Sequence, residues 1–151
     1  MTRVSELATI SVAVYVRSLD KRLLFVQKRK SGLWGPPAGR QKVGEGIFDA
    51  AVRETKEESG MIVRLLDIIG MNDVIEEDQL RLGIAFRAEM VGGELGPEDP
   101  EIEKAAFLKD MEIDRIILKG GIYKPKHTLL ILEDERAGRT YPLDIIRKVV
   151  P

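Results

Sequence analysis

The sequence predicts an α/β domain, on three observations. A β-branched run near the N-terminus, Ala8 to Arg17 (ATISVAVYVR), has the composition of a strand. A glycine loop leads into a helix between Gly39 and Met61 (GRQKVGEGIFDAAVRETKEESGM), and Gly60 supplies a left-handed stop. Further strand-like runs follow at Met61 to Ile69 and Gln79 to Met90. At 151 residues the chain suits one domain, residues 1–151, with one hydrophobic core.

Taken in order, the Ala8–Arg17 strand ends at a polar turn, Ser18-Leu19-Asp20-Lys21. Arg22 to Lys28 (RLLFVQK) is expected to return as its antiparallel partner. Arg29 to Gly35 is a basic, glycine-containing loop ending in Trp34. Pro36-Pro37-Ala38-Gly39 is not helical, because each proline biases its predecessor towards extended geometry. Gly44-Glu45-Gly46 then bends the chain into the helix. After the Met61–Ile69 strand, Gly70 to Asp78 reads as an acidic loop or hairpin tip, and Val91-Gly92-Gly93-Glu94 as a turn. Leu95 to Pro100 is a proline- and acid-rich loop before a short strand at Lys104 to Leu108. Lys126 to Arg136 (KHTLLILEDER) reads as a helix with Leu129, Leu130 and Leu132 on its apolar side. Arg139 to Pro151 fits a strand, a helix or an arm over a partner.

Composition narrows the function classes. Charged residues are 32% and apolar ones 44%, with a formal net charge of −1, so no global positive field draws the chain to nucleic acid or a membrane. No apolar run approaches the roughly 18 residues a membrane span needs. The N-terminus MTRVSELATI lacks the charged-then-apolar layout of a secretory signal. Absence of cysteine excludes a disulfide framework, a thiolate zinc site and a cysteine nucleophile. The expected location is the cytoplasm.

The helix carries too many acids on one side. A period of about 100° per residue puts Glu54, Glu57, Glu58, Ala50 and Ile47 together, with Phe48, Ala51, Val52 and Thr55 on an adjoining apolar side. Three acids at i, i+3 and i+4 repel one another and weaken an isolated helix. A hard divalent cation with oxygen ligands would offset that repulsion. The alternative is a solvated acidic face flanked by lysine and arginine.

The spacing also resembles the Nudix hydrolase box, G-x5-E-x7-R-E-U-x-E-E-x-G-U with U a bulky aliphatic residue. Gly39, Glu45, Arg53, Glu54, Glu57, Glu58, Gly60 and Met61 stand at its positions, and Thr55 at the first U is the one departure. The resemblance implies a Nudix fold, a mixed central β-sheet sandwiched between α-helices. It also implies a divalent metal, Mg²⁺ or Mn²⁺, held by Glu54, Glu58 and the Gly39 carbonyl, with Glu57 beside it. Glu57 becomes the carboxylate that takes a proton from the attacking water. Arg53 orients a glutamate by charge-assisted hydrogen bonds, and Glu45 braces the loop. The reaction implied is hydrolysis of the diphosphate linkage in a nucleoside diphosphate derivative, such as a nucleoside triphosphate or ADP-ribose. A messenger-RNA cap fits the balanced charge less well, and no stable nucleic-acid partner is expected.

Some family members recruit another acid from the loop after the central sheet. Glu98, Asp99, Glu101 and Glu103 crowd that loop here, and Glu101 is the chosen supplementary ligand or alternative base. For substrate contacts the candidates are Trp34, which stacks on a base or packs in the core, and the basic Arg29, Lys30 and Arg40. His127 is the only histidine, so it forms no His/Cys zinc site; a surface or capping role is expected. Two rivals remain. A catalytically silent nucleotide-sensing or interaction module would not need three clustered acids. An isoprenoid diphosphate isomerase would need a cysteine the chain lacks. A homodimer is compatible with the unassigned segment 139–151.

Overall fold

The computed structural model describes residues 8–151; the stretch before Ala8, read above as lacking a secretory layout, lies outside the described residues. Seven strands and three α-helices follow: β1 Ala8–Val16, β2 Leu23–Lys28, β3 Trp34–Gly35, β4 Ala38–Arg40, α1 Ile47–Ser59, β5 Met61–Ile75, β6 Leu80–Gly93, β7 Ile102–Leu108, α2 Asp110–Leu118 and α3 Pro125–Ala137. A 3₁₀ turn covers Leu143–Ile145. No helix among the described residues is long and apolar enough to cross a membrane.

The strands form a mixed sheet in the order β4-β1-β6-β5 and a second sheet in the order β3-β2-β7. Alternation along β1 and β6 sends Val12, Val14, Val16, Ile84, Phe86 and Ala88 to one face, where Ala50 and Ala51 of α1 meet them. The opposite face gives Tyr15 and Ala85 to a second cluster with Ile113 of α2 and Ile131 and Leu132 of α3. The mixed sheet is therefore sandwiched between helices, as expected. Thr55 packs fully buried because its hydroxyl donates to the Ala51 carbonyl at 2.8 Å, so the aliphatic position of the box tolerates it.

The expected β1–β2 hairpin does not form. Both edges of β1 are taken, by β4 antiparallel and by β6 parallel, and β2 pairs with β3 and β7. Only an isolated bridge between Arg17 and Leu23 remains of that pairing. The polar turn, with Lys21 at φ 65, instead hands the chain from one sheet to the other. Leu23, Leu24, Phe25 and Val26 are all buried, which suits a strand covered on both faces. Strand β5 runs well past Ile69, so the hairpin tip shrinks to the residues between Ile75 and Leu80.

Helix α2 was not expected. It is nine residues long and lacks a Ser, Thr, Asp or Asn N-cap; Lys109 holds that position, and its backbone N–H donates to Glu112 at 3.0 Å. The final segment lies along its own chain. Tyr141 bridges Ile68 of β5, and Leu143 and Ile146 pack against the first core cluster.

Candidate active site

Helix α1 sets its acids against the β4 strand. A Cβ at position 39 would land on the Glu54 carboxylate, so glycine there lets the backbone and the acid lie in contact. One turn on, Glu58 is 3% exposed. Its carboxylate accepts the Ala38 N–H at 2.9 Å and stands 3.5 Å from Lys28 Nζ. Glu57, further round the helix, is the more open of the three.

Arg53 ties these acids together. Its Nε and Nη2 donate to the two oxygens of Glu45 at 2.6 and 2.9 Å, a bidentate pair. Its Nη1 donates to Glu54 at 2.8 Å and to Glu57 at 3.1 Å, while Nη2 also reaches the Arg40 carbonyl at 3.1 Å. Bonding to Arg53 holds the Glu45 carboxyl down to about 2. Glu45 also accepts the Lys42 N–H at 3.1 Å, so it fastens the loop before α1 to the helix.

Burial acts the other way on Glu54 and Glu58. It raises the Glu54 carboxyl above its ordinary value, and it pushes Glu58 up to about 7 despite the Ala38 bond and Lys28. Native Glu58 therefore holds a proton between about 4.5 and about 7 that the unfolded chain releases. Stability from that proton is complete at the acid end and lost as pH rises through about 7. Without divalent metal, Glu58→Gln is expected to be more stable than the parent at pH 8, by up to about 3 kcal/mol. The gain should shrink at pH 5; equal melting curves at both pH values would contradict the buried charge.

Hard oxygen donors on α1 and the Gly39 backbone suit Mg²⁺ or Mn²⁺. The excess of buried acid over nearby cations is the kind of deficit such an ion offsets. Among the described residues, no three acidic or histidine side chains already converge as a closed ligand set.

The loop after β6 is hung on the end of α1: Gly96 N–H donates to Ser59 O at 3.0 Å, and both Glu98 and Asp99 N–H donate to Glu57 O at 2.9 Å. Asp99, not Glu101, is the loop acid whose charge bears on Glu54 and Glu58. The Glu101 side chain is exposed, and its N–H is turned to Asp99 at 2.9 Å. Glu98 pairs with Lys56 and Glu103 with Arg29. The loop is pinned this way by backbone bonds to Glu57 and Ser59 that sequence spacing does not reveal.

Beside the acids lies a pocket of about 300 Å³. Its floor follows from strand register: Ser11 and Ala13 of β1 align with Gly83 and Ala85 of β6, and Gly83 with Asn72 of β5. Small side chains on one face leave a hollow there. It extends from Ala38, Gly39 and Arg40 to Tyr123, Lys124 and His127 at the start of α3.

Of the four expected substrate contacts, only Arg40 lines this pocket; Lys30 is exposed outside it. Trp34 sits in β3, packed against the second core cluster with Lys104 Nζ 5.4 Å from its ring centroid. Arg29 is drawn away by Glu103 at 3.2 Å and the Pro100 carbonyl at 3.0 Å. Arg81, Tyr123, Lys124 and His127 went unnoticed as pocket residues. A faint signal existed in the run Tyr123 to His127 (YKPKH), basic and aromatic immediately before a helical pattern.

Residues 7–128 match the NUDIX domain, and the chain belongs to the Nudix family. The putative nudix hydrolase 1 of Caenorhabditis elegans is 29% identical over 94% of this chain and 39% of its own length. The NAD-capped RNA hydrolase of Pseudomonas aeruginosa is 38% identical over 64% of this chain and 34% of its own. An ADP-ribose pyrophosphatase of Methanocaldococcus jannaschii is 29% identical over 58% and 55%, respectively. The chain thus spans about a third to a half of the length of these curated relatives. Among solved structures, a NUDIX hydrolase from Nitrosomonas europaea superposes with a TM-score of 0.81 at 26% identity, covering 94% of this chain and 97% of that one.

Proposed function

We propose that the chain is a divalent-metal-dependent pyrophosphohydrolase acting on nucleoside diphosphate derivatives. The observation that carries this reading is the contact of Glu54 with the Gly39 backbone near buried Glu58, an acid-rich cluster beside a pocket. The NAD-capped RNA and ADP-ribose named for two relatives both contain a nucleoside joined through a diphosphate, which supports that substrate class.

Glu54, Glu58 and the Gly39 carbonyl would hold the ion, with Asp99 as the supplementary acid. Bound there, Mg²⁺ or Mn²⁺ neutralises diphosphate oxygens and makes phosphorus a better electrophile. The chain's own residues do the rest. Glu57 is open to solvent beside the cluster and takes a proton from water as the water oxygen bonds to phosphorus. The bridging P–O bond breaks, and two phosphorylated products leave. Arg53 is a positioning residue: one guanidinium nitrogen bonds both Glu54 and Glu57 and so fixes the spacing between ion holder and base.

The test is a panel of ADP-ribose, nucleoside triphosphates, dinucleotides and NAD-capped RNA with Mg²⁺, products identified by mass. Release of a nucleoside monophosphate from at least one is expected. A panel untouched while nucleotides still bind would favour the sensing module instead.

A further inference from the structure

Every charged side chain that lines the pocket among the described residues is basic: Lys28, Arg40, Arg81 and Lys124. Lys28 leans to Glu58 at 3.5 Å and Arg81 to Glu76 at 2.9 Å. Lys124 stands apart from any such pair, its ammonium 5.5 Å from the Tyr123 ring centroid. Its backbone is left-handed, at φ 46, where it caps the 13-residue helix α3. Partial burial, then repulsion from Arg81, Arg40 and Lys28, lowers its pKa against the opposing charge of Glu76. Next to it, His127 has a buried Nδ1 with no hydrogen-bond partner. Partial burial and the charges of Lys124 and Arg81, opposed by Glu76, hold that imidazole towards its neutral form. An oxyanion seated by Arg81, Lys124 and His127 would offset these like charges and give the ring nitrogen an acceptor.

We infer that the far end of the pocket is an anion seat in which Arg81, Lys124 and His127 hold a second phosphoryl group. That group belongs to the part of the substrate remote from the diphosphate that is cleaved. The favoured substrates are thus nucleoside diphosphate derivatives bearing an additional phosphate monoester, in preference to those ending in a neutral sugar. The word substrate rests on the hydrolase reading; the seat itself does not.

Binding without turnover tests the seat. Adenosine 5′-monophosphate and its 2′,5′- and 3′,5′-bisphosphates are titrated calorimetrically in the absence of divalent metal. The imidazole resonances of His127, the only histidine, are followed in parallel. At least one bisphosphate should bind roughly tenfold tighter than the monophosphate, the usual worth of a hydrogen bond to a charged group. The same ligand should shift the His127 resonances. Lys124→Gln should bring that ratio close to one, whereas Lys126→Gln, on the same helix but outside the pocket, should preserve it. The inference is overturned if neither bisphosphate gains over the monophosphate, if His127 does not respond, or if Lys124→Gln keeps the preference. A chain that binds this way yet hydrolyses nothing would sink the hydrolase reading alone.

Discussion

Glu57→Gln is expected to lower turnover by about 10²–10⁴ at saturating metal, the usual worth of a general base. Glutamine keeps the shape of the side chain and removes its basicity. The fold should survive, because Glu57 is partly open and its side chain carries no packing in the core. Arg53 Nη1, now 3.1 Å from Glu57, can still donate to the amide oxygen and keeps Glu54 at 2.8 Å. Metal affinity should therefore change little. Glu58→Gln has the opposite signature: it should weaken metal binding, and raising Mg²⁺ should recover part of the activity. Turnover and metal affinity measured separately decide the matter. Rescue of Glu57→Gln by excess metal, with no rescue of Glu58→Gln, would mean the two roles are reversed.

Gly60→Ala should be among the most damaging of the simple glycine substitutions. Gly60 ends α1 at φ 82, where an L side chain costs about 1–2 kcal/mol. An added Cβ would also collide with the carbonyls of Glu94 and Gly96, which are backbone and have little room to retreat. Overpacking of that kind adds roughly 1–3 kcal/mol. A total near 3 kcal/mol corresponds to a fall of about 10 °C in Tm for a chain this size. Gly44→Ala is the control, since Gly44 has φ 83 but nothing within 4 Å of the new Cβ. It should show the backbone cost alone. If the two variants melt together, the close approach of α1 to the β6 loop contributes nothing. The same loop carries Asp99, whose charge bears on Glu54 and Glu58.

What the sequence made legible follows from which interactions are local. Helix α1 and the grouping of Glu54, Glu57 and Glu58 depend only on helical period, and Gly60 stops the helix by its own backbone freedom. The Arg53–Glu45 pair lies within the same short stretch. Contacts set by sheet partners could not be read in this way. Strand β2 has the residues of a hairpin strand, yet β4 and β6 already occupy both edges of β1. Trp34 and Arg29 precede the Pro36–Gly39 stretch in the chain, but β2–β3 pairing and Glu103 hold them outside the pocket. Choosing among four loop acids required knowing that Glu98 and Asp99 bond to the Glu57 carbonyl. The pocket was least visible of all. Its floor needs three strands in register, and its cations come from β2, β4, β6 and the start of α3.

The most direct test of the central claim, that the acids of α1 act through a divalent cation on a nucleoside diphosphate derivative, is turnover against free Mg²⁺. Using whichever substrate the panel identifies, the rate should rise from background to a plateau as Mg²⁺ is added, and chelator should abolish it reversibly. The melting temperature should climb over the same concentration range, because an ion bound to the native state stabilises it. Full turnover in excess chelator, after prior metal removal, would contradict the account.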